Sequence, residues 1–231
     1  MKTRDTSLRK LARTAVAVCT GHPPEVRNRL KFFLLSPIYD GFYRVVPIDP
    51  HSEIDRRLPA GTRRVLDICT GTALVPMVVA ARSDVVVVGI DLSPEMLAMG
   101  RAKLARARRA NAALVRADAG RLPFGDRAFD AVTVSYGLHE LPTAVRERAV
   151  YEAARVLRPG GVLLAADLDR PPRFGWLVDA YLRLSEPAHA REVLGDGLVR
   201  LLEAAGFAVT REGPRGALPM QLLVARRASG P

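Results

Sequence analysis

Two aspartates follow apolar runs of the sequence, and their spacing indicates a binding site for a small polar ligand. Asp67 follows Val65 and Leu66, and Asp91 follows the run 85–90, which contains only valine, glycine and isoleucine. A run of Val and Ile without polar alternation is typical of a strand covered on both faces of a parallel sheet. With the helix-like segment between them, the two runs form a βαβ unit. This unit places both carboxylates at the carboxyl edge of the sheet, where ligands bind.

The loop after the first run indicates which ligand this edge would hold. An acid about 20 residues beyond such a loop, at the end of the neighbouring strand, is placed to accept hydrogen bonds from an adenosine ribose. A pyrophosphate needs a glycine-rich turn, but the loop 68–73 has one glycine, Gly71, and Asp67 would repel a phosphate. A carboxylate at this position suits a cationic amino group. Adenosine joined to a cationic amino acid indicates S-adenosylmethionine.

Five segments, in order along the chain, resemble the motifs of class I S-adenosylmethionine-dependent methyltransferases. They are closest to the version in quinone-biosynthesis C-methyltransferases, of the methyltransferase type 11 group, and comprise residues 65–73, 89–97, 117–124, 129–139 and 157–161. The resemblance covers about residues 64–228, and the ordered set is more specific than any single motif. Cys69 and Ala73 depart from the commonest pattern, which has glycine at both positions. These departures concern the shape of the methionine pocket rather than the identity of the cofactor.

The resemblance implies a fold, a reaction and a set of cofactor-binding residues. The fold is α/β, with a Rossmann-like, doubly wound, mostly parallel sheet of seven strands, an antiparallel C-terminal hairpin and an N-terminal helical cap. The reaction is an in-line displacement, which needs the acceptor, methyl and sulfur in alignment. The residues expected to bind S-adenosylmethionine are Tyr39, Asp67, Cys69, Thr70, Gly71, Thr72, Asp91, Leu92, Met96, Asp118, Ala119, Ser135 and Tyr136.

The loop after the fourth strand is where family members place groups near the methyl, and it holds the candidate catalytic residues His139 and Tyr136. His139 could act as a general base, because the ordinary histidine pKa lies near about 6.5. The alternative is that His139 bonds to the backbone and only shapes the turn. No convincing cluster of acidic, histidine or cysteine ligands occurs in the sequence, so we expect no metal.

Five of the thirteen aromatic residues occur in one N-terminal stretch, residues 24–49, which prolines bracket. We predict that residues 1–58 form a helical cap and a lid over the substrate and cofactor, and that residues 59–231 form the S-adenosylmethionine-binding domain. The candidate substrate-binding residues are Tyr39, Tyr43, His139 and Trp176. The alternative is that these aromatic side chains only pack the cap onto the core. An apolar cap favours a small or lipid-like, partly apolar acceptor, methylated at O, N or C.

The formal net charge of +11 leaves several partners open. We favour an arginine-rich solvated surface over a nucleic-acid partner, because the charges of residues 101–109 lie on a predicted surface helix. The basic segment 1–21 could contact anionic lipid as an amphipathic helix, or it could pack on the domain. No window reaches the roughly 18 apolar residues of a membrane span. The two cysteines lack pairing or metal spacing, which indicates a reducing compartment. We therefore expect a cytoplasmic monomer or homodimer.

Three alternative functions stay open at this stage. An RNA-binding nucleic-acid methyltransferase would use the positive charge. However, residues 135–138 read Ser-Tyr-Gly-Leu instead of the Pro-Pro-aromatic motif of base amino methyltransferases. RNA cytosine C5 methylation needs a catalytic cysteine, but Cys69 lies in the cofactor loop. An NAD-dependent oxidoreductase is disfavoured by the glycine-poor loop. Within the same fold, a protein could also bind the cofactor without transferring methyl.

Overall fold

The computed structural model describes residues 49–170, 175–176, 179, 188–212 and 220–227. The predictions for residues 1–48 of the N-terminal cap lie outside these residues. They include Tyr39 and Tyr43 as site residues and the lipid-contacting basic segment.

The described residues alternate strands and helices along the chain. The α-helices are α1 (Pro50–Arg57), α2 (Leu74–Val79), α3 (Pro94–Arg106), α4 (Thr143–Val156) and α5 (Gly197–Ala204). The strands are β1 (Arg64–Ile68), β2 (Val86–Asp91), β3 (Ala112–Arg116), β4 (Phe129–Ser135), β5 (Leu157–Leu168), β6 (Phe207–Arg211) and β7 (Met220–Arg227). Two 3₁₀ turns complete the described elements, Leu138–Glu140 and Ala188–Val193.

The strands form one seven-stranded sheet in the order β3-β2-β1-β4-β5-β7-β6. Strands β1 to β5 pair with one another in parallel, whereas β7 is antiparallel to both β5 and β6. The strand order reverses between β1 and β4, which is the switch point where ligands bind in open α/β sheets. The predicted doubly wound, mostly parallel sheet with an antiparallel C-terminal hairpin is confirmed.

The sheet is covered on both faces, as its uninterrupted apolar strands predict. Successive strand residues point to opposite faces, so Val65 packs in the cluster that contains Ile54 of α1. Leu66 packs in the cluster that contains Val150 of α4. All four of these side chains are at most 1% exposed. The two cores fix β1 in the middle of the sheet and thereby hold the loop that follows it.

Local sequence signals explain where several elements begin and end. Ser93 caps α3 by accepting a hydrogen bond from the Met96 amide at 3.2 Å, and Pro94 occupies the first helical position. Strand β5 starts at Leu157, before the apolar run 162–166. A bulge opposite residues 129–131 and the glycine turn at Gly160, with a φ of 74°, let the chain pair with β4 before its apolar run begins.

Candidate active site

The loop between β1 and α2 has a left-handed backbone at every second residue. The φ angles are 57° at Cys69, 53° at Gly71 and 65° at Ala73. Such angles cost a residue with a Cβ roughly 1–2 kcal/mol. Cys69 and Ala73 therefore adopt the conformation that glycine favours, and the two departures from the glycine pattern add strain without changing this local geometry. Strain of this kind concentrates at ligand-binding loops.

Gly71 and Asp91 join the loops that follow β1 and β2. The Gly71 amide donates to Asp91 Oδ2 at 2.8 Å, and the Ser93 amide donates to Asp91 Oδ1 at 2.9 Å. Asp91 is the last residue of β2 and is half-buried. Burial raises the pKa of Asp91 above its ordinary value, against the backbone hydrogen bonds from Ser93 and Gly71, which lower it. The carboxylate thus joins the two loops at the edge of the sheet, and part of its surface stays accessible to a ligand.

Asp67 lies behind the loop, not at its surface. It is the penultimate residue of β1 and is only 1% exposed. The hydroxyls of Thr70 and Thr133 each donate to one of its carboxylate oxygens at 2.6 Å. Burial raises the pKa of Asp67 to about 6, although these hydrogen bonds lower it. The geometry shows Asp67 holding Thr70 in place, and its contact with an amino group stays a prediction.

The other predicted cofactor residues of the first three strands lie at the same edge. Leu92 is 56% exposed, whereas Met96 and Ala119 are buried. The exposed Asp118 accepts a hydrogen bond from the Gly120 amide at 2.8 Å. Thr72 is buried, and its hydroxyl accepts a hydrogen bond from the Lys103 ammonium at 2.8 Å. The Ala117 amide donates to the Asp91 carbonyl at 3.2 Å, which brings the end of β3 beside the end of β2.

The loop after β4 packs closely against the loop after β1. A Cβ added to Gly137 would lie 2.4 Å from the Cβ of Cys69, so only glycine allows this approach. Tyr136 has a φ of 52°, and its amide donates to the Ala166 carbonyl at 2.8 Å. The Ser135 hydroxyl is buried and has no hydrogen-bond partner among the described residues. A buried hydroxyl without a protein partner leaves a hydrogen bond for a water or a ligand atom to complete.

His139 is buried between two carboxylates. Its Nδ1 lies 2.6 Å from Asp167 Oδ1, and its Nε2 lies 3.5 Å from Glu140 Oε1. Burial alone would lower the pKa of His139, but the charge and hydrogen bond of Asp167, together with Glu140, raise it to about 10. A general base needs a pKa near the working pH and access to the acceptor. His139 is 3% exposed, so the geometry favours the structural alternative over the predicted general base.

A buried arginine also contacts the 3₁₀ turn that contains His139. Arg146 of α4 is 3% exposed and donates to the carbonyls of Leu138, at 3.4 Å, and His189, at 3.1 Å. It also forms an ion pair with Glu192. The sequence interpretation missed both Asp167 and Arg146. Asp167 could have been found, because it follows the apolar run 162–166 as Asp67 and Asp91 follow theirs. Arg146 carries no such signal.

Two further predicted site residues are described. Burial raises the pKa of the Cys69 thiol well above its ordinary value. The negative charges of Asp91, Asp67 and Asp167 raise it further. Cys69 therefore stays protonated and is no thiolate nucleophile. Trp176 is 66% exposed, and its substrate contact stays a prediction.

Within the described ranges, no group of three or more His, Cys, Asp or Glu side chains is arranged to hold a metal ion. Among the described helices, none combines the length and the apolar character that crossing a bilayer requires.

The residues at this edge fit S-adenosylmethionine. An added Cβ at Gly71 would meet no atom within 4 Å, so the loop borders open space. Asp91 borders the same loop and suits ribose hydroxyls, and Asp118 suits the adenine amino group. The unpartnered Ser135 hydroxyl lies on the other side of the switch point. This donor and acceptor set matches an adenosyl amino acid better than a pyrophosphate, which the carboxylates would repel.

Comparisons with known proteins agree with this geometry. A family model described as "Methyltransferase domain" matches residues 65–161. The demethylmenaquinone methyltransferase of Listeria monocytogenes is 34% identical over 170 residues, which cover 69% of this chain and 70% of that protein. The demethylmenaquinone methyltransferase of Thermus thermophilus is 32% identical over 207 residues, which cover 78% of this chain and 93% of that protein.

The fold also matches solved structures. A SAM-dependent methyltransferase from Aquifex aeolicus superposes with a TM-score of 0.61 at 22% identity, over 77% of this chain and 89% of that one. A likeness at this level of identity supports the fold alone.

Proposed function

We infer the reaction from the premise that the chain belongs to the class I S-adenosylmethionine-dependent methyltransferases of the quinone-methyltransferase type. The chain is an enzyme that uses S-adenosylmethionine. We propose that its acceptor is a small or lipid-like, partly apolar molecule. The first acceptor to test is a demethylmenaquinone-type naphthoquinol, because the two relatives described above are demethylmenaquinone methyltransferases.

One observation carries the proposal for the binding site. The Gly71 amide and the Ser93 amide both donate to Asp91, so a half-buried carboxylate sits between the loops at the switch point of the sheet. This position suits the ribose hydroxyls of an adenosine. Asp118 and the exposed Leu92 side chain border the adenine side in this proposal, and the loop 69–73 borders the methionine side.

The chemistry divides between the cofactor and the protein. When bound, S-adenosylmethionine would supply the methyl group: an electron pair of the acceptor bonds to the methyl carbon as the carbon–sulfur bond breaks, which leaves a neutral thioether, and the proton that the acceptor loses passes to solvent. The chain's own residues bind the cofactor and the acceptor, orient them, and exclude water. The Ser135 hydroxyl and the Tyr136 side chain are the groups that we propose to face the reacting atoms. Neither the protonated Cys69 thiol nor the buried His139 offers a base for the acceptor proton.

Calorimetric titration and a methyl-transfer assay together test the proposal. S-adenosylhomocysteine should bind with a Kd on the order of micromolar, which corresponds to a binding free energy of about 8 kcal/mol. NAD serves as the control ligand and should not bind. Radiolabelled S-adenosylmethionine should then transfer label to a demethylmenaquinone-type quinol in detergent, and structured RNA should stay unlabelled. Label on RNA, with binding that weakens steeply as salt rises, would support the nucleic-acid alternative instead.

The remaining expectations from the sequence stay proposals. These are the division at Leu58 into a cap and a catalytic domain, the monomeric or homodimeric state, lipid contact through the basic N-terminal segment, and the cytoplasmic location.

A further inference from the structure

Asp167 lies in the last part of β5, beneath the loop that leaves β4. It is 0% exposed. Its Oδ2 accepts hydrogen bonds from the backbone amides of Leu138 at 3.1 Å and His139 at 3.2 Å. Its Oδ1 lies 2.6 Å from His139 Nδ1 and accepts the Leu168 amide at 2.7 Å. Both oxygens are thus used to hold the start of the 3₁₀ turn.

We propose that Asp167 is a positioning residue for methyl transfer, and that it fixes the loop 135–140 with His139 as its buried cationic partner. The inference rests on the proposed function only for its kinetic readout, because the activity assay needs the proposed acceptor. Its spectroscopic readout concerns the free protein alone.

The surroundings of the imidazole argue for a cation. A carboxylate as buried as Asp167 is costly unless a positive charge compensates it. The ring of His139 faces Asp167 on one side and Glu140, at 3.5 Å from Nε2, on the other. Arg146 and His189 approach the same turn through carbonyl contacts: Arg146 donates to the Leu138 carbonyl, and His189 Nε2 lies 3.3 Å from the Glu140 carbonyl. Of these groups, His139 is the one in contact with Asp167.

The loop is held at three points along its length. The Tyr136 amide bonds to the Ala166 carbonyl of β5, Gly137 packs against Cys69, and the amides of residues 138 and 139 bond to Asp167. Ser135 and Tyr136, the proposed contacts of the reacting atoms, lie at the start of this segment. A displacement of about 1 Å in a reacting geometry can cost roughly 100-fold in rate, so a held loop matters for transfer.

Imidazole ¹⁵N NMR of the cofactor-free protein tests whether the His139 imidazole is charged. The sequence has four histidines, and the His139→Gln spectrum identifies the His139 signal by its loss. The proposal predicts that both ring nitrogens of His139 carry protons at pH 7 and still do at pH 8.5. A neutral ring that titrates near its ordinary pKa of about 6.5 would overturn the proposal.

Variant kinetics test the positioning role. Asp167→Asn should lower kcat/KM for the acceptor by roughly 30-fold, because the amide cannot accept all the hydrogen bonds that hold the turn. The Kd for S-adenosylhomocysteine should change by less than about threefold. Glu147→Gln, which removes an exposed carboxylate of α4, is the matched control and should change neither quantity. Equal behaviour of the two variants would contradict the proposal.

His139→Gln separates positioning from base catalysis. It leaves the two backbone hydrogen bonds to Asp167 in place, so activity should fall only about threefold and the pH profile should keep its shape. Loss of activity together with loss of the acidic limb of the profile would identify a base and overturn the proposal. If Asp167→Asn does not fold, the wild-type spectrum and His139→Gln decide alone. If no acceptor is methylated, the proposed function fails, but the spectrum still tests the ion pair.

Discussion

The two halves of the ligand edge use the same residue type in different ways. At the tip of β2, Asp91 is half-buried and receives amides from two loops, Gly71 and Ser93. Near the tip of β5, Asp167 is fully buried and receives the amides and the ring of the 3₁₀ turn. Both follow apolar runs and look alike in the sequence. Burial separates them, because a carboxylate that keeps surface can meet a ligand, whereas a buried one can only organise protein.

Asp67 shows where this difference arises. It lies one residue inside β1, paired in register with Gly89 of β2 and Thr133 of β4, whereas Asp91 is the terminal residue of its strand. Neighbouring strands on both sides therefore cover Asp67. A shift of one residue relative to the strand end decides whether an acid faces the ligand edge or the interior of the sheet.

The largest effect is expected for Asp91→Ala. Each hydrogen bond to a charged group is worth about 1.5–3 kcal/mol, so loss of the ribose acceptor should weaken S-adenosylhomocysteine binding at least 100-fold. Calorimetry measures the Kd. Asp84→Ala is the control, since Asp84 precedes the opposite end of β2 and forms an exposed pair with Arg63, which contributes little. Similar affinities of the two variants would remove Asp91 from the site.

The contact between the two halves can be broken by Gly137→Ala. The added Cβ would stand 2.4 Å from the Cys69 Cβ, so the variant should lose about 2 kcal/mol of unfolding free energy by overpacking. Gly125→Ala is the control, because its Cβ would meet no atom within 4 Å. Adding Cys69→Gly should restore most of the stability, since it removes the colliding atom and relieves a left-handed residue. Denaturant unfolding measures all of them, and an unstable double variant would contradict the contact.

Asp67→Asn should stabilise the protein at neutral pH. The unfolded carboxyl ionises near the ordinary pKa of 3.8, and burial moves the folded pKa to about 6. Stability contributed by this group therefore falls as pH rises between these values and stays low above them. Removing the charge should raise the unfolding free energy by about 1 kcal/mol at pH 7.5, and the gain should vanish below about pH 4. Unfolding curves at both pH values measure this, and a loss of stability at pH 7.5 would contradict it.

The last effect concerns His139, whose contribution to stability is lost at high pH. Its folded pKa, about 10, lies above the ordinary 6.5, so its stabilising contribution is complete below pH 6.5 and is lost as pH rises through 10. The Tm of the wild type should therefore fall more between pH 6.5 and 10 than the Tm of His139→Gln. Parallel curves for the two proteins would show that the imidazole is neutral in the folded state.

Much of the fold followed from the sequence, and much less of the site did. The Val and Ile run of β2, the Ser93-Pro94 helix start and the positions of the acids predict the parallel sheet and its edge, because these signals are local. The exposure of Asp67 and the pairing of His139 with Asp167 depend on strand register and on contacts 28 residues apart. Periodicity carries no information about such contacts, which explains why the sequence could not show that the predicted base is buried against Asp167.

The central claim is that S-adenosylmethionine binds across the tips of β1, β2 and β3, and amide hydrogen exchange with and without S-adenosylhomocysteine tests it most directly. The account predicts added protection in peptides spanning 69–75, 91–98 and 117–121, with no change in residues 59–63 and 82–86 at the opposite edge. Protection at the opposite edge, or none at the loop 69–75, would contradict the site.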